Sequence, residues 1–236
     1  MGIDYETAKW IRKHIRRRRR ILTIGRQNWW LSRRESASLG IDGPAWSRTN
    51  YSDFFFRKYL ECDVVSVDIV DGECPDIIAD LSLPRALPSS DFDYVMDFGT
   101  AEHVADQGNY WRNLWSSLRV DGVLVGVLPA DSLCGHGLYQ FSPEFFANMR
   151  GFKPLEIALI TYGPIIKWEW LSRYDGRFQR RFRWPTFVAF RLLRTAQDFG
   201  LPVQYQNATT PTTSERPWAK WLVEIPGVRI LERLLR

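Results

Sequence analysis

Cysteine is scarce in this 236-residue chain: Cys62, Cys74 and Cys134 are the whole supply. An odd number at these spacings builds no disulfide framework and matches no metal-binding pattern. The three therefore read as structural thiols of a reducing compartment, and a cytoplasmic location is expected. Long hydrophobic runs are lacking as well. No stretch approaches the roughly 20 apolar residues that cross a bilayer. The N-terminus is charged and carries no apolar h-region, which argues against a secretion signal. Glu6 stands where N-myristoylation needs Ser or Thr. The triplets Asn50-Tyr51-Ser52 and Asn207-Ala208-Thr209 then read as chance matches to a glycosylation site. No internal repeat is visible.

Acids are missing from one region in particular. Residues 1–34 hold eleven Lys or Arg against two acids, leaving 21 basic and 25 acidic residues in the remainder. The net charge of +5 is thus a local property. Its centre is the run Arg16, Arg17, Arg18, Arg19 and Arg20. Such a run can grip a polyanion: nucleic acid, an anionic membrane or a polyanionic substrate. It can also be the solvated end of a helix, where cations complement the dipole. We read it as the helix end.

What is present is a globular composition. Apolar residues make up 45% of the chain, and 11 Trp must largely line a core or a cleft. Ala8, Ile11 and Ile15 predict a helix over 4–18. Strands are expected at 21–24, 64–68, 77–80, 94–97, 123–128, 155–160 and 187–192. Helices are expected at 54–60, at 110–118 and after Ser142-Pro143-Glu144, which reads as a cap, a first-turn Pro and a first-turn acid. Residues 26–50 read as loop with at most a turn of helix. The order divides into a basic N-terminal helix (1–20), an α/β domain (21–194) with an aromatic and Arg-rich insert near 164–185, and a C-terminal extension (195–236).

The most informative stretch is 92–146. It begins Phe92-Asp93-Tyr94-Val95-Met96-Asp97-Phe98-Gly99-Thr100-Ala101-Glu102-His103-Val104. An amphipathic segment follows, then an Asp121-Gly122 turn and Val123-Leu124-Val125-Gly126-Val127-Leu128-Pro129. It ends in Gly135-His136-Gly137-Leu138-Tyr139-Gln140-Phe141-Ser142-Pro143. Strand, turn, helix, turn, strand and loop in this order predict a doubly wound, mostly parallel α/β sheet. In such sheets ligands bind outside the carboxyl ends of the strands.

This order resembles the class I S-adenosylmethionine-dependent methyltransferases over roughly residues 20–190. The segment from Gly135 to Pro143 is similar to a subset of bacterial methyltransferase-like proteins often linked to surface-polysaccharide synthesis. The resemblance implies a Rossmann-like fold, S-adenosylmethionine as cofactor, and a small-molecule or glycan acceptor. One motif departs. Where the family's first strand ends in an acid and spaced glycines, this chain has Thr23 for the acid, keeps Gly25, and has Gln27 and Trp29 for later glycines. Larger side chains there would narrow the approach to a ligand. A dinucleotide oxidoreductase is set aside because G-x-G-x-x-G is absent after the first strand.

On this resemblance Asp68 would hold the cofactor's ribose hydroxyls and Asp80 would face the adenine amine. Gly25 and Gly99 would permit close approach. Each has a plainer reading as a strand end, turn or cap residue. His136, between two glycines after the fifth strand, is the candidate catalytic base, since an imidazole accepts a proton near neutral pH. Tyr139 and Gln140 would orient the acceptor. All three could instead pin their loop. Glu102 and His103 raise the question of a metal. Ubiquinone-type O-methyltransferases carry Glu-x-x-Glu-His here, but position 99 is Gly, and two ligands are too few, so no metal is expected. The expected function is methyl transfer to a hydroxyl, or an amine, of a polar small molecule or sugar. The competing readings are a catalytically silent module that binds a glycan, nucleotide or partner protein, and a nucleic-acid modifying enzyme.

Overall fold

A computed structural model describes residues 2–42, 51–88, 91–171 and 182–202. The elements among these are β1 (Gly2–Ile3), α1 (Tyr5–His14), β2 (Arg20–Ile24), β3 (Asn28–Trp29), α2 (Arg33–Ser38), β4 (Asp63–Asp68) and β5 (Ile77–Ile78). They continue with β6 (Phe92–Asp97), α3 (Gln107–Ser117), β7 (Leu118–Asp131), α4 (Pro143–Ala147), β8 (Phe152–Tyr162), β9 (Ile166–Trp170) and β10 (Thr186–Arg194). The main sheet has the order β5-β4-β2-β6-β7-β10-β8-β9. The first five of these pair in parallel, and β10 enters antiparallel between β7 and β8. The doubly wound expectation holds. Sequence order reverses between β2 and β6, which is where such sheets open a ligand crevice.

Alternation along the strands explains why both faces are covered. Tyr94 and Met96 of β6, with Val123, Val125 and Val127 of β7, pack on one face with Ile11 of α1, Trp29, Phe55 and Phe56. Val95, Leu124 and Leu128 pack on the other, with Trp111 and Leu114 of α3 and Phe146 of α4. Gly126 has no side chain for a packing reason. A Cβ there would lie 2.3 Å from Cζ of Phe190, its cross-strand partner in β10. Phe146 stacks on that ring at 3.9 Å, and Trp111 sits edge-on to both. Each such aromatic pair adds roughly 0.5–1.5 kcal/mol beyond its buried area.

Several local expectations are corrected. The first helix stops at His14, because Ile15 is extended (φ −91°, ψ 123°). The arginine run is therefore not a helix end but the connection into β2, and acids from neighbouring segments meet it. Arg17 and Arg18 pair with Glu61, Arg19 with Asp93 at 3.6 Å, and Arg20 with Asp63 at 3.2 Å and with Asp91. Most of these side chains face solvent, which screens the pairs, so they add little to stability. Their effect is to neutralise a charge that looked unopposed in the sequence. The expected helix over 54–60 is one π-type turn, Phe55–Tyr59, with Phe55 and Phe56 buried. The 26–50 stretch holds β3 and α2, the latter opened by a Ser32/Glu35 capping box. Part of the expected insert is β9, an added antiparallel edge strand on β8. Of the cysteines only Cys62 is buried; Cys74 and Cys134 are exposed, so two of the three are not core thiols. Phe199 is buried in the core and Arg150 bridges to Gly200. The rest of the C-terminal stretch, 203–236, lies outside the described residues. Among the described residues no helix is long and apolar enough to cross a membrane.

His14 ties α1 to the sheet. Its Nδ1 accepts from Arg191 Nη1 at 2.6 Å, and its Nε2 lies 3.4 Å from Glu156. Burial, and then the Arg191 charge, hold this imidazole below its ordinary pKa. Folding thus favours the neutral ring. The stability it supports is complete above the unfolded-state pKa of about 6.5 and is lost as pH falls through that value toward the folded one. The expected outcome is a urea midpoint that drops more steeply from pH 7 to pH 5 in the wild type than in His14→Gln.

Candidate functional site at the switch point

Gly25 follows β2 with φ +74°, and its N–H donates to Val67 O at 2.7 Å. A Cβ on Gly25 would lie 2.7 Å from Thr100 Oγ1 and 3.8 Å from Asp68 Oδ2. The turns after β2, β4 and β6 therefore converge here, and only glycine fits without strain. Gly99, at φ +105°, opens the third of these turns. Asp68 is half-buried. Its Oδ1 accepts from Ile69 and Val70 N–H, and its Oδ2 from Arg26 N–H at 3.2 Å. An ionised carboxylate has about four acceptor positions, so Oδ2 keeps capacity for another donor. Asp80 follows β5 in an exposed turn. Both Ser82 N–H and Ser82 Oγ–H donate to its Oδ1, and this hydrogen bonding holds its carboxyl below the usual range.

The altered glycine turn resolves into two different things. Trp29 points into the core, fully buried, with its indole N–H on Ser36 Oγ at 3.1 Å. It does not narrow the crevice. Gln27 does fill the turn: its amide donates to Ile24 O and, at 3.2 Å, to Gly25 O. Arg26 is a further neighbour of this turn. Its guanidinium reaches Cys74 O at 2.7 Å and Asp53 at 3.2 Å, and lies 4.3 Å over the Tyr51 ring. Burial pushes the Asp53 carboxyl up, against the pull of Arg26. The one signal in the sequence was position: Arg26 directly follows the retained glycine.

Asp97 was also missed as more than a strand residue. It is fully buried at the end of β6. It accepts from the N–H groups of Gly99, Thr100 and Ala101 and, at 2.6 Å, from Tyr110 O–H. Burial pushes its pKa up, while these four donors hold it down. The result is a fixed single turn of 3₁₀ helix, Ala101–His103. That turn buries Glu102 completely and leaves His103 half-exposed.

The loop after β7 is seated on this turn. Leu138 and Tyr139 N–H both donate to Glu102 O, at 2.7 and 3.2 Å. The seat leads to a juxtaposition not visible in the sequence: His136 Nε2 lies 3.5 Å from Glu102 Oε1, and His103 Nε2 lies 3.8 Å from the same atom. The two imidazole rings are 5.5 Å apart. The count of two possible ligands in this region was therefore short by one, because His136 comes from 33 residues further along the chain. Burial, then the nearby Asp97 charge, push the Glu102 carboxyl up to about 8. Burial lowers the His103 imidazole, and the charge of His136 lowers it further. Tyr139 donates to Ala105 O at 2.8 Å, and Gln140 Oε1 accepts from Leu133 N–H at 3.1 Å, so both pin the loop. They also line a cleft of about 880 Å³, walled by residues 105–107 and 139–142 and by Phe145.

Gly137 makes the seat possible. A Cβ on it would lie 2.9 Å from both Cγ and O of Glu102. Gly137→Ala must lift the loop or distort the turn, and overpacking of this kind costs about 1–3 kcal/mol. The expected outcome is a urea unfolding free energy lowered by that amount. Gly135→Ser, next to open space but at φ +85°, should cost only about 1–2 kcal/mol through its backbone. Equal, negligible effects at both positions would show that the loop is not seated as described.

No protein-family model and no curated protein matches the sequence. Solved structures do. The 1,6-didemethyltoxoflavin-N1-methyltransferase of Burkholderia thailandensis, solved with 1,6-didemethyltoxoflavin and S-adenosylhomocysteine, superposes with a TM-score of 0.50 at 14% identity, over 80% of this chain and 76% of that one. A chain from the complex of the Haloferax volcanii Trm112 methyltransferase activator with a methyltransferase gives 0.51 at 11% identity, over 81% and 90%. Likeness at such identities is one of fold, and the fold of this chain is that of the class I S-adenosylmethionine-dependent methyltransferases.

Proposed function

We propose that this chain transfers a methyl group from S-adenosylmethionine to a hydroxyl, or less readily an amine, of a polar small molecule or sugar. The observation that carries the proposal is Gly25 at φ +74°, wedged between Asp68 and Thr100 at the point where sequence order reverses. Gly25 and Gly99 would let the cofactor approach the backbone. Asp68 would take a ribose hydroxyl on Oδ2, and Asp80 would offer its own Oδ2 to the adenine amine. The link to surface polysaccharide rests only on the resemblance of the Gly135-to-Pro143 segment.

The reaction needs little from the protein beyond placement. The sulfonium methyl is already electrophilic, so catalysis consists of holding acceptor and methyl about 3–3.5 Å apart and keeping water out. The acceptor would lie in the cleft beside Tyr139 and Gln140. His136, at the edge of the loop, would take the hydroxyl proton as the oxygen attacks. The neighbouring Glu102 would help to orient that ring.

A second reading is favoured by a specific observation. The Gln27 side chain occupies the turn and bonds to Ile24 O and Gly25 O. If it stays there, the methionine end of the cofactor is shut out and the fold serves as a binding module. Calorimetric titration with S-adenosylhomocysteine separates the two. Micromolar binding is expected, weakened by about 1.5–3 kcal/mol in Asp68→Ala, as for loss of a charged hydrogen bond. Absence of binding at millimolar ligand would establish the silent module. With a turnover assay in hand, His136→Gln should keep cofactor affinity and lose about 10²–10⁴-fold in rate. Equal loss of affinity and rate would make His136 a loop anchor instead.

A further inference from the structure

We propose that Glu102, His103 and His136 form a binding site for a divalent first-row transition cation such as Zn²⁺ or Co²⁺. The inference does not depend on methyl transfer. It rests on four observations. The first is the state of Glu102. Its side chain has no exposed surface, and neither carboxylate oxygen has a hydrogen-bond partner. Buried polar groups are almost always partnered, because stripping water from them without compensation costs several kcal/mol. Of these two oxygens, Oε1 faces both imidazoles, and a cation would join carboxylate and imidazole there.

The second observation is spacing. The three ligand atoms all lie within 4.8 Å of one another, and the two distances from Glu102 Oε1 are 3.5 and 3.8 Å. Ligands at about 2.0–2.1 Å on a tetrahedral centre are separated by about 3.4 Å. Two edges of the triangle are therefore close to the required length. The third would close by rotating the two imidazoles, which are partly exposed. Among the described residues no other group of His, Cys, Asp or Glu ligand atoms gathers in this way.

The third observation is that the site is held from both sides. Asp97 fixes the turn that carries Glu102 and His103 through three backbone N–H groups. The His136 loop is docked on Glu102 O by two more, and Gly137 gives it the room. A ligand set on rigid supports is what a cation needs. The fourth is chemistry. One carboxylate with two imidazoles suits zinc, cobalt, nickel or iron better than magnesium or calcium, which prefer all-oxygen shells. Three protein ligands leave at least one position open. An acceptor in the adjoining cleft could supply an oxygen there.

An imidazole that ligates a cation has no lone pair left for a proton. Cation binding and the base role of His136 are thus alternatives, and one set of measurements chooses between them. Untagged, chelator-treated protein is titrated with Co²⁺, followed by visible absorption, and with Zn²⁺, followed by calorimetry. One equivalent should bind with a dissociation constant in the micromolar range or below. His136→Ala, on an exposed loop, and Glu102→Gln should each weaken binding at least tenfold while circular dichroism stays native. Should Glu102→Gln fail to fold, His136→Ala and His103→Ala carry the test. Cys134→Ser, two residues from His136, should bind as the wild type does. No binding by the wild type at millimolar cation would overturn the site. So would Cys134→Ser abolishing it while both histidine variants bind normally. Titration of the same sample with S-adenosylhomocysteine reports separately on the methyl-transfer reading, so either proposal can fail alone.

Discussion

The site hangs from one buried carboxylate. Asp97 ends the central strand β6 with no exposure, and its two oxygens take up three successive backbone N–H groups and the Tyr110 hydroxyl. Hydrogen bonds to a charged group are worth about 1.5–3 kcal/mol each, but the desolvation of a buried ion is of similar total size. The net gain in stability is therefore modest. What the arrangement supplies is geometry. A loop leaving a strand end can take many paths, and here four bonds leave one. Gly99 is held open, Thr100 is brought across to donate to Ile24 O at 3.0 Å, and Glu102 is turned inward. Tyr110 extends the same restraint to α3, so the helix and the crevice wall share one anchor.

The aromatic layer beneath β7 supports the second half. Gly126 lets Phe190 lie against the strand, Phe146 stacks on Phe190, and Phe141 sits edge-on to Trp111. Phe141 closes the loop that carries His136, and its N–H returns to Pro129 O at 2.8 Å. A loop with two glycines would be loose without such anchors. It is tied at Phe141, at Glu102 O, and through Tyr139 to Ala105 O. The polar residues expected to meet an acceptor therefore first of all shape the cleft they line.

The sheet was legible in the sequence because its signals are local. The apolar positions of β6 and β7, and a helix opening at Ser142-Pro143-Glu144, follow from periodicity and helix-start chemistry alone. The arginine run was misread because its partners, Glu61, Asp63, Asp91 and Asp93, lie more than forty residues away and meet it only across parallel strands. The same limit hid the second imidazole beside Glu102. Trp29 and Gln27 could not be told apart as intruders in the glycine turn. Gln27 lies in the turn before β3 while Trp29 lies in β3, and only the pairing of β3 with β1 fixes which way each side chain points. Asp97 looked like one more strand-end acid, since nothing in a sequence distinguishes a solvated carboxylate from one that organises a buried turn.

The crevice shows two opposite tendencies side by side. Gly25 brings the turn close to Asp68, whose Oδ2 keeps acceptor capacity, while two residues on from Gly25, Gln27 bonds across the same turn. The opposition is smaller than it looks. A neutral side-chain hydrogen bond contributes about 0.5–1.5 kcal/mol net, so swinging Gln27 out of the turn costs on the order of 1–3 kcal/mol. A ligand that satisfies Ile24 O and Gly25 O with its own ammonium would recover most of this. The carbonyls that Gln27 occupies are acceptors, and a cofactor whose amino acid end carries a cationic nitrogen presents donors to them. On the methyl-transfer reading, Gln27 would be a placeholder in the turn rather than a plug. A neutral or anionic ligand lacking such a donor would leave both carbonyls unpaired on displacing it, and the turn would disfavour that ligand.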